Sequence, residues 1–369
     1  MTSPLPRLPR LPPLPWLSAR DRLADAARRL FLDRQARFWL RALDPLLDPS
    51  GLRARVRRVV EETADVRTFV LEPGPGWRGH RAGQHTTIEV PIDGVLTRRC
   101  YSISRAPGAL AITVKRVPGG RVSGWLHDHL HAGAVIGLSP AAGDFVLPEP
   151  LPPRPLFLTA GSGITPALAM LEELARRDAL GGATLVHHAR SREDVIARGW
   201  LEGLAREHAG FRLVPLLDDA PDGPPGFEPQ RFRALVPDFA ERATFLCGPP
   251  GLMTRVEALY ASAGASGRLR RERFVAARPA VSAPSAAARV RLARSGQTVT
   301  LEGPGSLLEQ LERAGVRPEH GCRMGICLSC RCEKLAGVTR DHDTGATSEE
   351  PEPIRLCVST ACSDLELDL

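Results

Sequence analysis

The chain has 369 residues, enough for two or three domains, and its 43% hydrophobic and 25% charged residues exclude a fibrous or fully disordered protein. No run of residues approaches the ~20 apolar positions of a membrane span. The net charge of +7 is unevenly placed, because residues 1–58 hold 13 Arg against five Asp, whereas residues 333–369 hold three basic and nine acidic residues.

Residues 1–50 form a basic segment in two parts. Proline recurs through residues 1–17 and prevents a helix there, whereas residues 18–43 predict an amphipathic helix that ends before an Asp-Pro pair. Such a helix favours peripheral membrane contact through residues 1–45, and packing on the protein core is the alternative. Since the segment lacks the features of a secretory signal, we expect a cytoplasmic protein. No nucleic-acid-binding pattern accompanies the basic charge, so we expect no nucleic-acid partner.

Residues 51–150 contain short, evenly spaced strand patterns separated by Gly and Pro turns, which predict an antiparallel β-barrel. Within them, Arg99-Cys100-Tyr101-Ser102 combines a bidentate phosphate ligand, a ring that can stack on a flat aromatic group, and a hydroxyl that can bond a ring nitrogen. This combination suits the edge of a flavin. Chance is the alternative for so short a pattern.

Residues 151–275 alternate between strand and helix patterns, which predicts a parallel sheet flanked by helices. A buried strand leads into Gly161-Ser162-Gly163-Ile164-Thr165-Pro166, with Thr165 suited to the N-cap and Pro166 to the first helical position. The context favours a dinucleotide pyrophosphate site at a helix N-terminus, and a plain turn is the alternative. A second glycine loop starts at Cys247-Gly248 after a later strand, at the sheet edge where ligands bind.

Two arginines after the second strand of this region bear on the choice of nucleotide. Arg190 and Arg192 are suited to a 2′-phosphate, which favours NADPH over NADH. Two solvated arginines in an arginine-rich chain are the alternative.

Residues 276–287 predict a linker, and residues 288–369 predict a small domain that holds six of the eight cysteines. Four of the six follow the plant-type [2Fe–2S] spacing, in which three ligands are close and the fourth is distant: Cys322, Cys327, Cys330 and Cys357. Structural zinc is the alternative, although it usually takes pairs of closely spaced cysteines. We expect Cys332 and Cys362 to be unligated.

In this order, the motifs resemble the ferredoxin–NADP reductase superfamily fused to a C-terminal plant-type ferredoxin domain. The stretch KRVPGGRVSGWLHDHL is most similar to bacterial reductases that feed oxygenases and desaturases, and the basic N-terminal segment resembles that of stearoyl-CoA desaturase partner reductases. The resemblance implies a multidomain fold: an FAD-binding β-barrel, an NAD(P)-binding α/β domain, and a small α+β ferredoxin domain of the β-grasp type.

The resemblance also implies residue roles. It assigns contacts with the flavin phosphates and ring to Arg99, Tyr101, Ser102, Gly120, Ser123 and, as a shielding aromatic, Phe274. It assigns contacts with the nicotinamide dinucleotide to Gly161, Gly163, Thr165, Pro166, Cys247 and Gly248. Ser102 and Cys247 would orient the hydride transfer.

The activity implied is NADPH-dependent electron transfer through FAD and a [2Fe–2S] cluster to an external acceptor. We expect a membrane fatty-acyl desaturase as the acceptor, with a ring-hydroxylating oxygenase or hydroxylase as the alternative. A non-catalytic zinc-binding protein is the alternative of another class. The acidic residues 333–369 are expected to steer the cluster toward a basic partner.

Overall fold

The computed structural model describes residues 42–48, 51–105, 108–219, 226–274, 287–323, 325, 328–342 and 344–369. Most of the helix predicted at 18–43, nearly all of the predicted linker, and Cys327 lie outside these ranges. Within them, no helix is both long enough and apolar enough to cross a bilayer.

The first unit is a closed barrel of six antiparallel strands in the order β1-β2-β5-β4-β3-β6, as predicted. The strands are β1 (Leu52–Thr63), β2 (Val66–Pro73), β3 (His85–Ile92), β4 (Val95–Ser104), β5 (Leu110–Lys115) and β6 (Val135–Leu138). Helix α1 (Arg121–His129) lies between β5 and β6. The side chains of Phe69, Ile88, Ile103 and Ile112 are fully buried in the barrel core, because alternate strand positions point inward.

The second unit is a parallel sheet of five strands in the order β11-β10-β7-β8-β9. Its strands are β7 (Leu156–Ala160), β8 (Thr184–Ala189), β9 (Arg212–Leu217), β10 (Thr244–Cys247) and β11 (Leu269–Glu272). Its helices are α2 (Thr165–Arg176), α3 (Arg198–Glu207), α4 (Pro229–Leu235) and α5 (Pro250–Ser262). The chain runs outward from β7 through β8 and β9, then returns to the other side of β7 at β10. The strand order therefore reverses between β7 and β10, which is where open α/β sheets bind ligands.

The third unit combines a five-stranded sheet, β13-β12-β19-β14-β17, with a three-stranded sheet, β16-β15-β18. Its elements are β12 (Ala288–Leu292), β13 (Thr298–Leu301), α6 (Leu307–Arg313), β14 (Arg331–Ala336), β15 (Thr339–Asp341), β16 (Thr347–Ser348), β17 (Glu352–Arg355), β18 (Ser359–Ala361) and β19 (Leu365–Leu367). Ser306 and Glu309 form a capping box at the start of α6. The helix buries Leu307, Leu308 and Leu311 in the core of this unit.

Ion pairs across this third unit reduce the acidic character predicted for residues 333–369. Three of the nine acidic residues of that segment pair with arginines on or just after β12: Arg289–Asp364 at 3.2 Å, Arg291–Glu366 at 3.2 Å and Arg294–Asp368 at 2.7 Å. The prediction that residues 333–369 steer the cluster toward a basic partner took into account only the charges of that segment. Residues 288–369 together hold ten basic and 13 acidic residues, so the whole unit is only weakly acidic.

Candidate functional site

A cavity of about 530 Å³ lies between the barrel, the start of α2 and the end of β11. All six residues to which the family resemblance assigns flavin contacts line it: Arg99, Tyr101, Ser102, Gly120, Ser123 and Phe274. This volume falls in the usual range for ligand and cofactor sites. We call it the flavin cavity below.

The Arg-x-Tyr-Ser motif lies near the end of β4, antiparallel to β3. Tyr101 pairs with Thr86, and Ser102 pairs with His85. Arg99 and Tyr101 project from the same face of the strand because they are two residues apart. Burial raises the pKa of Tyr101 above its ordinary value, so the phenol stays protonated. The motif thus presents a guanidinium and a neutral ring to one cavity.

Glu272 is a functional candidate that the sequence analysis missed. Its carboxyl lies at the end of β11, and the Ser102 hydroxyl donates a hydrogen bond to Oε2 at 3.1 Å. His85 Nδ1 lies 3.9 Å from Oε1. Burial raises the pKa of Glu272 to about 8, against the lowering effect of the Ser102 hydrogen bond. At neutral pH, the cavity wall therefore carries a mostly protonated carboxylic acid that can exchange its proton.

The only sequence signal for Glu272 was its place at the carboxyl end of a parallel strand, two residues before Phe274. Such strand ends gather at the ligand-binding edge of an α/β sheet. A single acidic residue carries no motif, so this position alone could not distinguish Glu272 from other acidic residues.

The turn before α1 fits a phosphate. Gly120 caps the helix, and a Cβ there would lie 2.5 Å from Ser123 Oγ and 2.9 Å from the Val117 carbonyl oxygen, so the tight turn requires glycine. The Val117 N–H donates to Ser123 Oγ at 3.2 Å and fixes that side chain. The first turn of α1 and Arg99 line the same cavity, and the N–H groups of a first helical turn have no partner within the helix and favour an anion. The residues present therefore fit a flavin nucleotide.

A second cavity, of about 510 Å³, lies at the carboxyl edge of the parallel sheet where the strand order reverses. Its walls include Lys115, Gly161, Arg190 and Arg255. We call it the nucleotide cavity. Arg192, the other predicted phosphate ligand, stands outside these walls and pairs with Glu202 at 2.7 Å.

The two glycine loops pack directly on each other beside the nucleotide cavity. A Cβ on Gly163 would lie 2.3 Å from the Cys247 carbonyl oxygen, and one on Gly248 would lie 2.8 Å from Leu252. Cys247 is only 1% exposed, lines neither cavity, and burial raises the pKa of its thiol. Its predicted role beside the nicotinamide stays a prediction.

The start of α2 differs from the prediction. Gly161–Ile164 already forms a 3₁₀ turn, so Thr165 is the first residue of the helix rather than its N-cap, and Pro166 lies just inside it. The Thr165 hydroxyl donates to the Ser162 carbonyl at 3.0 Å and also lines the flavin cavity. Thr165 thus lies between the loop and the predicted flavin position.

Three of the four predicted cluster ligands are buried: Cys322, Cys330 and Cys357. The Sγ atoms of Cys330 and Cys357 lie 3.3 Å apart, close to the roughly 3.8 Å of two thiolates on one tetrahedral metal ion. The Gly325 N–H donates to Cys357 Sγ at 3.1 Å. Hydrogen bonds to sulfur are typical of iron–sulfur sites, so the described donors fit a cluster.

Arg355 braces the loop around the cluster ligands. Its guanidinium donates to the Gly325 carbonyl at 2.9 Å and to Asp341 at 2.8 Å. Gly325 has a φ of 78°, and a Cβ there would crowd both methyl groups of Val358 at 3.0 Å. Of the cysteines outside the predicted set, Cys332 is buried and Cys362 is exposed.

Cys322 connects the cluster loop with the flavin cavity. It is one of the residues that line that cavity, together with Tyr101 and Phe274. One predicted cluster ligand thus borders the space predicted to hold the flavin.

Three family models match successive parts of the chain. Residues 53–147 match the oxidoreductase FAD-binding domain, residues 157–258 match the oxidoreductase NAD-binding domain, and residues 290–363 match the 2Fe-2S iron-sulfur cluster binding domain. The expected fold and the cofactors FAD, NAD(P)H and a [2Fe–2S] cluster are therefore confirmed.

Similar proteins are reductases. A Mycobacterium tuberculosis protein named NADPH oxidoreductase is 37% identical over 338 residues, which cover 90% of this chain and 88% of that one. The glycine betaine monooxygenase reductase subunit of Chromohalobacter salexigens is 32% identical and covers 85% of this chain and 94% of its own length. The solved structure of phthalate dioxygenase reductase has a TM-score of 0.59 at 26% identity and covers 87% of this chain and 98% of that chain.

The comparisons favour an oxygenase as the electron acceptor, which was the alternative, over the membrane desaturase that we expected from the sequence. Two of these relatives are named as reductases of a monooxygenase or a dioxygenase, and none of the three names supports a desaturase partner, membrane contact or zinc binding. The chain belongs to the ferredoxin–NADP reductase type of NAD(P)H-dependent oxidoreductases, in which an FAD-binding domain, an NAD-binding domain and a [2Fe–2S] domain are joined in one polypeptide.

Proposed function

We propose that this protein is the reductase component of an oxygenase system, which takes electrons from NADPH and passes them singly to a separate terminal oxygenase. The observation that carries the proposal is the position of Cys322 on the wall of the flavin cavity, since a predicted cluster ligand there gives electrons a short exit from the flavin. The names of two relatives support an oxygenase as the acceptor.

The barrel residues bind and orient the flavin. FAD and the cluster supply the change from two-electron to one-electron chemistry when bound. Arg99 offers a bidentate contact to a phosphate, and the turn at Gly120 and Ser123 offers helix N–H groups to the same anion. Tyr101 and Phe274 provide aromatic surface for the flat ring and exclude water from it.

Ser102 and Glu272 handle a proton at the cavity wall. A hydride brings two electrons and one proton, so if the two electrons leave singly, that proton must leave the site once per cycle. The Ser102 hydroxyl touches Glu272 at 3.1 Å, and burial keeps that carboxyl protonated near neutral pH. We therefore assign Glu272 as the proton store and Ser102 as its contact with the cofactor.

The packed glycine loops fix the nicotinamide side of the site. Gly163 packs against the backbone of Cys247, so the loops after β7 and β10 are held in direct contact. Arg190, on the wall of the nucleotide cavity, is the proposed ligand of the 2′-phosphate and the basis of a preference for NADPH. The name of the Mycobacterium tuberculosis relative agrees with this preference.

The test uses Cys357→Ser in the full chain. The wild type is expected to reduce both ferricyanide, which can take electrons from the flavin, and cytochrome c, which here serves to report the cluster. The variant is expected to lose cytochrome c reduction at least tenfold while ferricyanide reduction stays within about twofold, because the flavin and nucleotide units are untouched. Cys362→Ser, at an exposed cysteine outside the predicted ligand set, is the control and should change neither rate.

Two results would contradict the proposal. Full cytochrome c reduction by Cys357→Ser would remove the cluster from the electron path. Reconstitution with purified terminal oxygenases and, in parallel, membrane desaturases of the native cell tests the acceptor, and turnover with a desaturase alone would overturn the oxygenase assignment.

A further inference from the structure

Asp65 reaches from the barrel to two cations of the nucleotide cavity. It lies in the turn between β1 and β2, and its Oδ2 is 3.3 Å from Lys115 Nζ and 3.4 Å from Arg190 Nη2. Both cations line the nucleotide cavity, Lys115 from the barrel and Arg190 from the end of β8. A carboxylate of one domain thus sits against the proposed phosphate ligand of another.

Local contacts hold this carboxylate in place. The Thr63 hydroxyl hydrogen-bonds Asp65 Oδ1 at 3.1 Å, and the Asp65 carbonyl accepts from the Arg116 N–H at 2.7 Å. Partial burial raises the pKa of Asp65, but the charges of Lys115 and Arg190 together with the Thr63 hydrogen bond outweigh it and hold the pKa below its usual value. The side chain is therefore ionised at neutral pH.

We propose that Asp65 competes with the 2′-phosphate of NADPH for Arg190 and Lys115, and so limits the preference of the enzyme for NADPH over NADH. This inference rests on the proposed role of Arg190. Without the nucleotide, the Asp65 carboxylate pairs with Arg190 and Lys115. When the 2′-phosphate binds, it replaces the carboxylate.

The exposure of the three groups favours displacement over a permanent pair. The Arg190 side chain is 63% exposed, and those of Asp65 and Lys115 are about a third exposed, so water screens their attraction. A phosphate carries more charge than a carboxylate and offers several oxygens to the guanidinium fork. The 2′-phosphate should therefore displace the Asp65 carboxylate from Arg190 with only a small loss of binding free energy.

A second acid plays a different part. Asp194 binds Arg190 at 2.6 Å, but it follows on the same loop, and Ser191 holds its other oxygen at 3.2 Å. It therefore stays with Arg190 and orients it whether or not a nucleotide is bound. Asp65 belongs to the other unit, so its contact can break without moving Arg190 from the cavity.

The experiment measures binding of 2′,5′-ADP and 5′-AMP to the FAD- and cluster-loaded full chain by calorimetry at low salt. Asp65→Asn is expected to bind 2′,5′-ADP about three- to tenfold more tightly than the wild type and 5′-AMP within twofold of it. Asp128→Asn is the matched control, since Asp128 pairs with Arg116 on the same barrel, neither residue lines either cavity, and the change in net charge is the same. It should leave both affinities within twofold.

Unchanged or weaker binding of 2′,5′-ADP by Asp65→Asn would overturn the inference, as would an equal gain in Asp128→Asn. In the background of Arg190→Ala, the gain from Asp65→Asn should largely disappear, and its full persistence would also count against competition at Arg190. A wild type that binds 2′,5′-ADP no more tightly than 5′-AMP would instead contradict the proposed NADPH preference itself, and the competition with it. Retained flavin absorption shows that each variant is folded.

Discussion

Ser102 and Glu272 are 170 positions apart in the sequence, and their hydrogen bond places a titratable carboxyl at the wall of the flavin cavity. Ser102 could be predicted because Arg99, Tyr101 and Ser102 form a local pattern. Glu272 could not, because its proposed role in proton exchange depends on burial and on a partner from another domain. Neither can be inferred from the neighbouring residues. The sequence therefore predicted the residues that we propose to bind the flavin, but not the carboxyl that we propose to exchange a proton with it.

Glu272→Gln tests the proton store through the pH dependence of flavin reduction by NADPH. With a pKa of about 8, Glu272 is mostly neutral below pH 8 and ionised above it. A negative charge beside the flavin disfavours the addition of electrons, so the wild-type rate should fall as the pH rises through about 8. The variant stays neutral and should match the wild type within about threefold at pH 6.5 but lack the fall. Anaerobic stopped-flow absorbance measures both profiles.

The same shift predicts a change in stability. The folded chain keeps a proton on Glu272 up to about pH 8, whereas the unfolded chain releases it near the ordinary value of 4.5. The folded state therefore loses stability as the pH rises between these values, and Glu272→Gln should lose less. Glu149→Gln, at a surface position, should behave like the wild type. Identical profiles of unfolding free energy against pH for Glu272→Gln and the wild type would rule out a titrating role for Glu272.

At the level of elements, the two glycine loops show that a local strand–loop–helix pattern can be predicted from the sequence, whereas a contact between distant loops cannot. The strand, the loop and the helix after residue 156 could be predicted, because a buried apolar run, glycines and a helix-starting proline follow one another. The contact between Gly163 and the loop after β10 could not, since it joins segments 84 positions apart. Gly163, which makes this contact, lies within the 3₁₀ turn that displaced the expected N-cap at Thr165.

Gly163→Ala should separate the two loops. The new Cβ would lie within 2.8 Å of three backbone atoms of Cys247 and Gly248, so the backbone must shift. We expect a loss of about 1–3 kcal/mol in the stability of the α/β unit, typical of overpacking, and at least a tenfold loss in affinity for 2′,5′-ADP. Urea unfolding and calorimetry measure the two effects.

Gly203→Ala is the control for this change. Gly203 lies within α3, and the nearest atom to its added Cβ is an Arg206 Nη2 at 3.9 Å. Alanine should be neutral there or stabilise by up to about 1 kcal/mol, since it favours a helix over glycine. Equal changes in stability and in 2′,5′-ADP affinity at both positions would mean that the contact between the loops does not make Gly163→Ala more destabilising than an ordinary substitution.

At the scale of the whole molecule, the sequence predicted three units and their cofactors but not how they meet. Residues 333–369 alone suggested an acidic docking surface, whereas the arginines on and after β12 neutralise part of it. The contact of Asp65 with Arg190 and the position of Cys322 on the flavin cavity likewise arise between domains. Such contacts depend on surfaces far apart in the chain, which no local pattern encodes.

The position of Cys322 predicts that electrons pass from the flavin to the cluster within one polypeptide. A ligand that borders the flavin cavity removes any need for two molecules to meet, so the transfer should be first order. After anaerobic mixing with saturating NADPH, the rate constant for bleaching of the cluster bands should stay constant over a tenfold range of protein concentration. A rate constant that rises in proportion to concentration would mean that the cluster of one molecule takes electrons from the flavin of another. In that case, the wall shared by the two sites would not be the electron path.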